Sequence, residues 1–141
     1  MTLDPQTRRV LDTAKVARLA TSDNDQPYLV PVVFVFYGLH IYIPLDTKKK
    51  KSHLPGDLKR VRNILKNPKV AFLIDRYDDD DWMKLYFVMI IGKASLLPVE
   101  GCREAFEKLS AKYPQYQTTT IGYSNMCIRI KPERITVWQN S

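Results

Sequence analysis

Histidine, cysteine and glycine are scarce in this chain, and each shortage removes a class of chemistry. The two histidines, His40 and His53, have no carboxylate or cysteine at ligand spacing, so they are expected to be bystanders and no metal site is expected. The two cysteines, Cys102 and Cys127, lie far apart with neither C-x-x-C nor Cys/His spacing. That excludes a disulfide framework and a zinc site, and predicts reduced thiols. The five glycines build none of the phosphate-cradling patterns G-x-G-x-x-G or G-x-x-x-x-G-K-[ST], and G-x-S-x-G and H-E-x-x-H are also missing. No run approaches the ~20 apolar residues of a membrane span, and MTLDPQTRRV lacks the apolar core of a signal peptide. The expectation is a soluble cytoplasmic protein.

What is abundant is positive charge, and it is concentrated. The 141 residues carry a formal net charge of +7, and DTKKKKSHLPGDLKRVRN, from Asp46 to Asn63, sets seven basic residues against two acidic ones. The rest of the chain is close to balanced. A local patch of this kind fits a phosphate-bearing small molecule or a nucleic-acid backbone. The length fits one domain able to bury a core unaided.

The pattern along the chain is that of a β-rich fold. Asp4-Pro5 with Val10, Leu11 and Ala14 predicts a short leading helix. VARLATSD and PYLVPVVFVFY flank the turn DNDQP and predict a hairpin, and Gly38 permits a tight return into LHIYIPL. In the strand from Pro27 to Tyr37, Val30, Val32, Phe34 and Phe36 share one face, while Leu29, Pro31, Val33, Val35 and Tyr37 share the other. Both faces are apolar, so both need cover: a barrel interior on one side, and a helix, a partner subunit or a flat ligand on the other.

Leu58, Val61, Ile64 and Leu65 predict a helix capped by Asp57 and stopped at Asn67-Pro68, followed by the strand PKVAFLID. Trp82 to Pro98 predicts one long strand bent at Gly92. EGCREAFEKLSAKYPQY predicts a helix with Cys102, Ala105, Phe106 and Leu109 inward and Pro114 closing it, and NMCIRIKPERITVWQ a final pair of strand segments around Lys131-Pro132-Glu133. Many strands with few helices predict an antiparallel barrel with peripheral helices. The run Asp78 to Asp81 offers oxygen ligands but not the spacing of a known cation loop, and reads as a solvated turn.

The lysine run follows a strand and precedes a helix N-terminus, where unpaired N–H groups favour an anion, so phosphate recognition beside an apolar slot is its sharper reading. A nucleic-acid barrel would want exposed aromatics beside the lysines, whereas Phe36, Tyr37 and Tyr42 fall in strands that read as buried.

Taken in order, ARLATSDNDQPYLVPVVF, IYIPLDTKKK, LKRVRNILKNPKV, DDDDWMKLYFVMIIGKA and KPERITVWQ resemble the flavin-binding split barrels related to pyridoxamine phosphate oxidase. Within them the chain most resembles small single-domain members often labelled deazaflavin-dependent enzymes. The resemblance covers nearly the whole chain. It implies one domain over residues 1–141: a mainly β, six-stranded antiparallel split barrel with peripheral helices. It also implies a homodimer with two cofactor sites at the interface.

The resemblance further implies that the backbone at Val30, Pro31, Val32 and Val33 runs along an isoalloxazine-type ring. Lys49 and Lys50, with Thr47, Lys48 and Lys51 beside them, would grip the phosphate, and Trp138 matches an aromatic that lies near the cofactor in relatives. The cofactor implied is FMN, with coenzyme F420 as the alternative. The activity implied is hydride transfer to or from a small conjugated acceptor. The Arg-x-His substrate motif of true pyridoxamine phosphate oxidases is missing, so that reaction is not expected. The rival reading is a flavin- or haem-binding protein without turnover, a haem version needing His40 or His53 as an axial ligand.

Overall fold

The computed structural model describes residues 3–45, 58–118 and 126–140. Helix α1 spans Pro5–Thr13 and begins as its sequence dictates: the Asp4 carboxylate accepts from the Thr7 N–H at 2.8 Å and from the Thr7 hydroxyl at 2.9 Å. These bonds hold the Asp4 carboxyl below its usual range. Strand β1 (Ala17–Asp23) then turns at Asn24 and Asp25, both at positive φ, into β2 (Gln26–Val32). A two-residue turn with both φ angles positive matches the twist of the paired strands. The same solution recurs at Gly38 and Leu39, φ 57° and 63°, between β3 (Val35–Tyr37) and β4 (His40–Pro44).

After β4 come α2 (Lys59–Lys66), β5 (Lys69–Arg76), β6 (Tyr86–Leu97), α3 (Arg103–Lys112), the short α4 (Gln115–Thr118) and β7 (Cys127–Gln139). All strand pairs are antiparallel, in the order β2-β1-β5-β6-β7-β4-β3. The two edge strands are successive in the chain, joined only by Val33 and Phe34. A flat seven-stranded sheet would hold its edges ~29 Å apart. Three peptide steps from Val32 to Val35 reach only ~10 Å. The sheet must therefore roll until its edges nearly meet, and the result is a barrel left open along one seam. This is the split-barrel α+β architecture anticipated, with a seventh strand because the segment from Pro27 to Tyr37 breaks at Val33-Phe34 rather than running through.

Inside the roll, Leu19, Val30, Phe72 and Ile90 lie across one row of paired strands and Val32, Phe34, Ile41, Ile43, Val88 and Ile130 fill the same core. Phe34 and Phe72 meet edge to face at 5.0 Å. A second cluster under α3 collects Val35, Tyr42, Cys102, Ala105, Phe106, Leu109 and Cys127. Both thiols are buried, and burial pushes both above their usual range, as expected of inert cysteines.

Three local expectations are corrected. Leu65 is 64% exposed, not part of the inner stripe of α2; Leu58, Val61, Ile64 and the polar Asn63 are buried instead. Trp82–Lys84 is a 3₁₀ turn capped by the Asp81 carboxylate rather than the start of a strand. The two terminal strand segments are one strand, β7, in which Ile91 pairs with Arg134 but Gly92 with Pro132, leaving Glu133 as a bulge. Gly92 is needed there, because a Cβ would collide with the Lys131 carbonyl oxygen. Asp57, expected to cap α2, lies outside the described residues.

Candidate functional site

The seam of the barrel opens into a cleft of about 450 Å³. One wall is Pro31, Val32 and Val33, where β2 runs out toward the seam; the facing wall is Ile43 and Pro44 from β4. Arg60, from the first turn of α2, supplies the cation among the described lining residues, and Tyr113, Pro114, Gln115 and Tyr116 close the cleft from the end of α3 and the start of α4. The lining is thus mostly apolar and partly aromatic, with a guanidinium and an amide for orientation. Its size and chemistry suit a flat small molecule with a polar tail.

Of the residues singled out from sequence, Pro31, Val32 and Val33 are brought together here. Val30 points into the barrel core and does not line the cleft. Trp138 does not line it either: it is 45% exposed and stacks on Phe87, ring centroids 6.0 Å apart, on the outer face of the sheet. Thr47, Lys48, Lys49, Lys50 and Lys51 lie outside the described residues. The described chain on either side of them meets the cleft, since Pro44 and Arg60 both line it.

Sequence reasoning missed Tyr113, Gln115 and Tyr116. The only signal was the dense polar-aromatic run Lys112 to Tyr116 after a helix, which periodicity reads as a stop and not as a wall. The Tyr113 hydroxyl is held by backbone groups of Phe34 and Lys15, 2.9 to 3.2 Å away, and burial raises its pKa, so it stays protonated.

Elsewhere the candidates resolve as structural. Asp78 accepts from the N–H groups of Asp80 and Asp81 at 3.0 Å each, bonds that lower its pKa and make the acidic run a self-capped turn. Among the described residues no group of three or more His, Cys, Asp or Glu could hold a metal ion. His40 bonds to the Gly38 carbonyl through Nδ1 at 2.9 Å and is not part of the cleft lining; His53 lies outside the described residues. Phe36 and Tyr42 are buried. Among the described residues no helix is long and apolar enough to cross a membrane.

Outside the cleft, the sheet's outer face carries apolar residues around the Arg18–Asp75 ion pair, 3.8 Å. Leu29, Ala20, Ala71 and Ile91 form one row across β2, β1, β5 and β6, and Leu73, Met89 and Phe87 continue it toward Trp138. Leu29 is 66% exposed. The second apolar face of the strand from Pro27 to Tyr37 is therefore covered by α3 at Val35 and Tyr37, lines the cleft at Pro31 and is bare at Leu29.

The fold and the site define the class: a split β-barrel with an apolar cleft at its seam. The chain belongs to the pyridoxamine 5'-phosphate oxidase family, whose sequence model matches residues 4–139. No curated protein matches it. Among solved structures it is similar to a FAD-binding protein of Mesorhizobium loti, at 22% identity and TM-score 0.72, covering 100% of this chain and 98% of that one. A provisionally named pyridoxamine 5'-phosphate oxidase of Listeria innocua is 27% identical with TM-score 0.67, over 96% and 97% of the two chains. The FAD-binding protein of Mycobacterium smegmatis is 17% identical with TM-score 0.63, over 98% and 96%.

Proposed function

We propose that the chain binds a flavin in the seam cleft and uses it in an oxidoreduction, with FMN as the cofactor and coenzyme F420 as the alternative. The observation that carries this is the pairing of an apolar slot, walled by Pro31, Val32, Val33, Ile43 and Pro44, with positive charge at its rim. Arg60 is part of the lining, and the lysines from 48 to 51 fall in the segment between Pro44 and Arg60. Membership of the family supports a flavin, as do two similar structures described as FAD-binding proteins.

The residues fit the group. The isoalloxazine-type ring is flat and apolar, and the prolines and valines of the two walls present no charge to it. Gln115 and the backbone of Pro31 to Val33 offer polar contacts for its edge, while Arg60 and the lysines match a phosphate that carries close to two negative charges near pH 7. A bound flavin would supply the hydride chemistry. The chain's own part is to orient the ring, exclude water through Tyr113, Pro114 and Tyr116, and anchor the tail. The missing Arg-x-His motif argues for a substrate other than pyridoxamine phosphate.

The apolar side chains of the outer face, Leu29, Leu73, Met89, Phe87 and Trp138, set around the Arg18–Asp75 pair, support pairing of two copies through their outer sheet faces. The family resemblance gives Trp138 a place near the cofactor, and as part of the outer face it would be buried in such a homodimer.

The test is the visible spectrum of the purified protein with the mass of the released cofactor. A flavin or deazaflavin band with the matching mass is the expected result; a colourless protein that takes up none of FMN, FAD or F420 overturns the reading. A protein that holds the flavin but never exchanges hydride with any reductant would instead be the binding protein without turnover, a reading favoured by two neighbours being named for binding rather than for a reaction.

A further inference from the structure

The end of α3 reaches back across the chain to the backbone of a single residue, Phe34. The Lys112 ammonium donates to the Phe34 carbonyl oxygen at 3.0 Å. The Tyr113 hydroxyl accepts from the Phe34 N–H at 3.2 Å and stands 2.9 Å from the Lys15 carbonyl oxygen and 3.1 Å from that of Phe34. A hydroxyl has one proton to give. With Lys112 on the Phe34 carbonyl, that proton is left for the Lys15 carbonyl, and all five groups have a partner. The Lys112 ammonium also lies 3.7 Å from the centroid of the Phe34 ring, and the Lys15 ammonium donates to the Lys112 carbonyl. Phe34 sits between β2 and β3, where the chain crosses the seam. Val33, just before it, lines the cleft, and so does the Tyr113 ring.

We propose that Lys112 and Tyr113 are positioning residues for the cleft: by clamping the backbone on both sides of Phe34 they fix the wall from Pro31 to Val33 against the turn of Pro114, Gln115 and Tyr116. The proposal rests on the flavin reading above and adds to it a pH-sensitive element. Burial, and then the like charge of Lys15, lower the Lys112 pKa to about 8, with Asp12 opposing. Arg8 and Lys108 share with Lys112 and Asp12 a second groove, on the α1 and α3 side of β3. As pH rises from 7 to 9 the ammonium loses its proton, and a charge-assisted bond to Phe34 becomes a weaker neutral one.

Stability and affinity then move in opposite directions. An unfolded lysine keeps its proton up to its ordinary pKa of 10.5. Between pH 8 and that value the unfolded state holds more protons than the folded one, so the contribution of Lys112 to folding stability rises with pH. The clamp weakens over the same range, and cofactor affinity falls.

The experiment is FMN titration by fluorescence quenching at pH 7 and 9, with urea unfolding alongside. Wild type should lose about fivefold in affinity from pH 7 to 9, the difference between a charge-assisted and a neutral hydrogen bond. Lys112→Arg, charged at both pH values, should remove that loss, and Lys112→Met should bind weakly with a flat profile. Tyr113→Phe, which keeps the ring in the cleft, should bind more weakly at both. Identical pH profiles for wild type and Lys112→Met, or unchanged affinity in Tyr113→Phe, overturn the clamp. If wild type takes up none of FMN, FAD or F420 at either pH, the flavin reading fails instead. The clamp is then read from hydrogen exchange at the Phe34 amide: faster exchange in Tyr113→Phe supports it, and equal exchange overturns it.

Discussion

Asn63 on α2 donates through Nδ2 to the Thr21 hydroxyl on β1 at 2.9 Å, and both side chains are buried. This bond ties the helix that carries Arg60 to the barrel wall, one turn away from the cleft. Asn67 repeats the tie at the helix end, donating to Ser22 at 3.0 Å.

Asn63→Ala should therefore cost more than its lost contacts, because it strands a buried hydroxyl. The expected loss is ~1 to 3 kcal/mol. The double variant Asn63→Leu with Thr21→Val should recover part of it, since neither polar group then remains. Urea unfolding of the two variants checks this, and equal losses in both would refute it.

Gly92→Ala tests the bulge. The added methyl meets the Lys131 carbonyl, a backbone atom that cannot swing aside, so either β6 or β7 must shift. A drop of at least ~2 kcal/mol is expected, seen as a lowered thermal midpoint. Ala94, also inward-facing on β6 but regular in its pairing, should by comparison accept glycine at ~1 kcal/mol.

Leu73→Glu places a second carboxylate on the outer face, two residues from Asp75 and opposite Arg18. If two copies pair through that face, the variant should sediment as a monomer while keeping its fold, because Leu73 is on the side of β5 opposite the core residues Phe72 and Ile74. A wild type that is already monomeric at high concentration would remove the basis for the dimer.

Replacing Lys48, Lys49, Lys50 and Lys51 by glutamine should weaken FMN binding by ~10-fold or more and flatten its salt dependence. Riboflavin, which shares the ring but lacks the phosphate, should bind both proteins alike. Equal losses for the two ligands would show that the lysines do not act on the phosphate.

Much of the fold could be read locally. The cap at Asp4, the turn residues at Asn24-Asp25 and Gly38, and the inward set of α3 depend on groups within a few positions of each other, and the structure keeps them. The alternation from Leu29 to Tyr37 marked a strand that needs cover on both faces, while the choice of Pro31, Val32 and Val33 as a cofactor wall came only from the family resemblance. Leu65 misled because helical spacing cannot distinguish a residue facing the barrel from one a turn of the stripe away.

The rest was decided by closure. Rolling seven strands until their edges meet forces a break at Val33-Phe34, and the peptide groups exposed at the break need partners that no neighbour in sequence can provide. Lys112 and Tyr113 provide them from nearly 80 residues on. The sequence by itself determined most of the strand and helix segments, though not where the strand from Pro27 to Tyr37 breaks or that Trp82–Lys84 turns, and where positive charge gathers, because these follow from side-chain period and composition. The tertiary structure alone decided that the end of α3 forms the third wall of the cleft, because that contact exists only once the seam has formed.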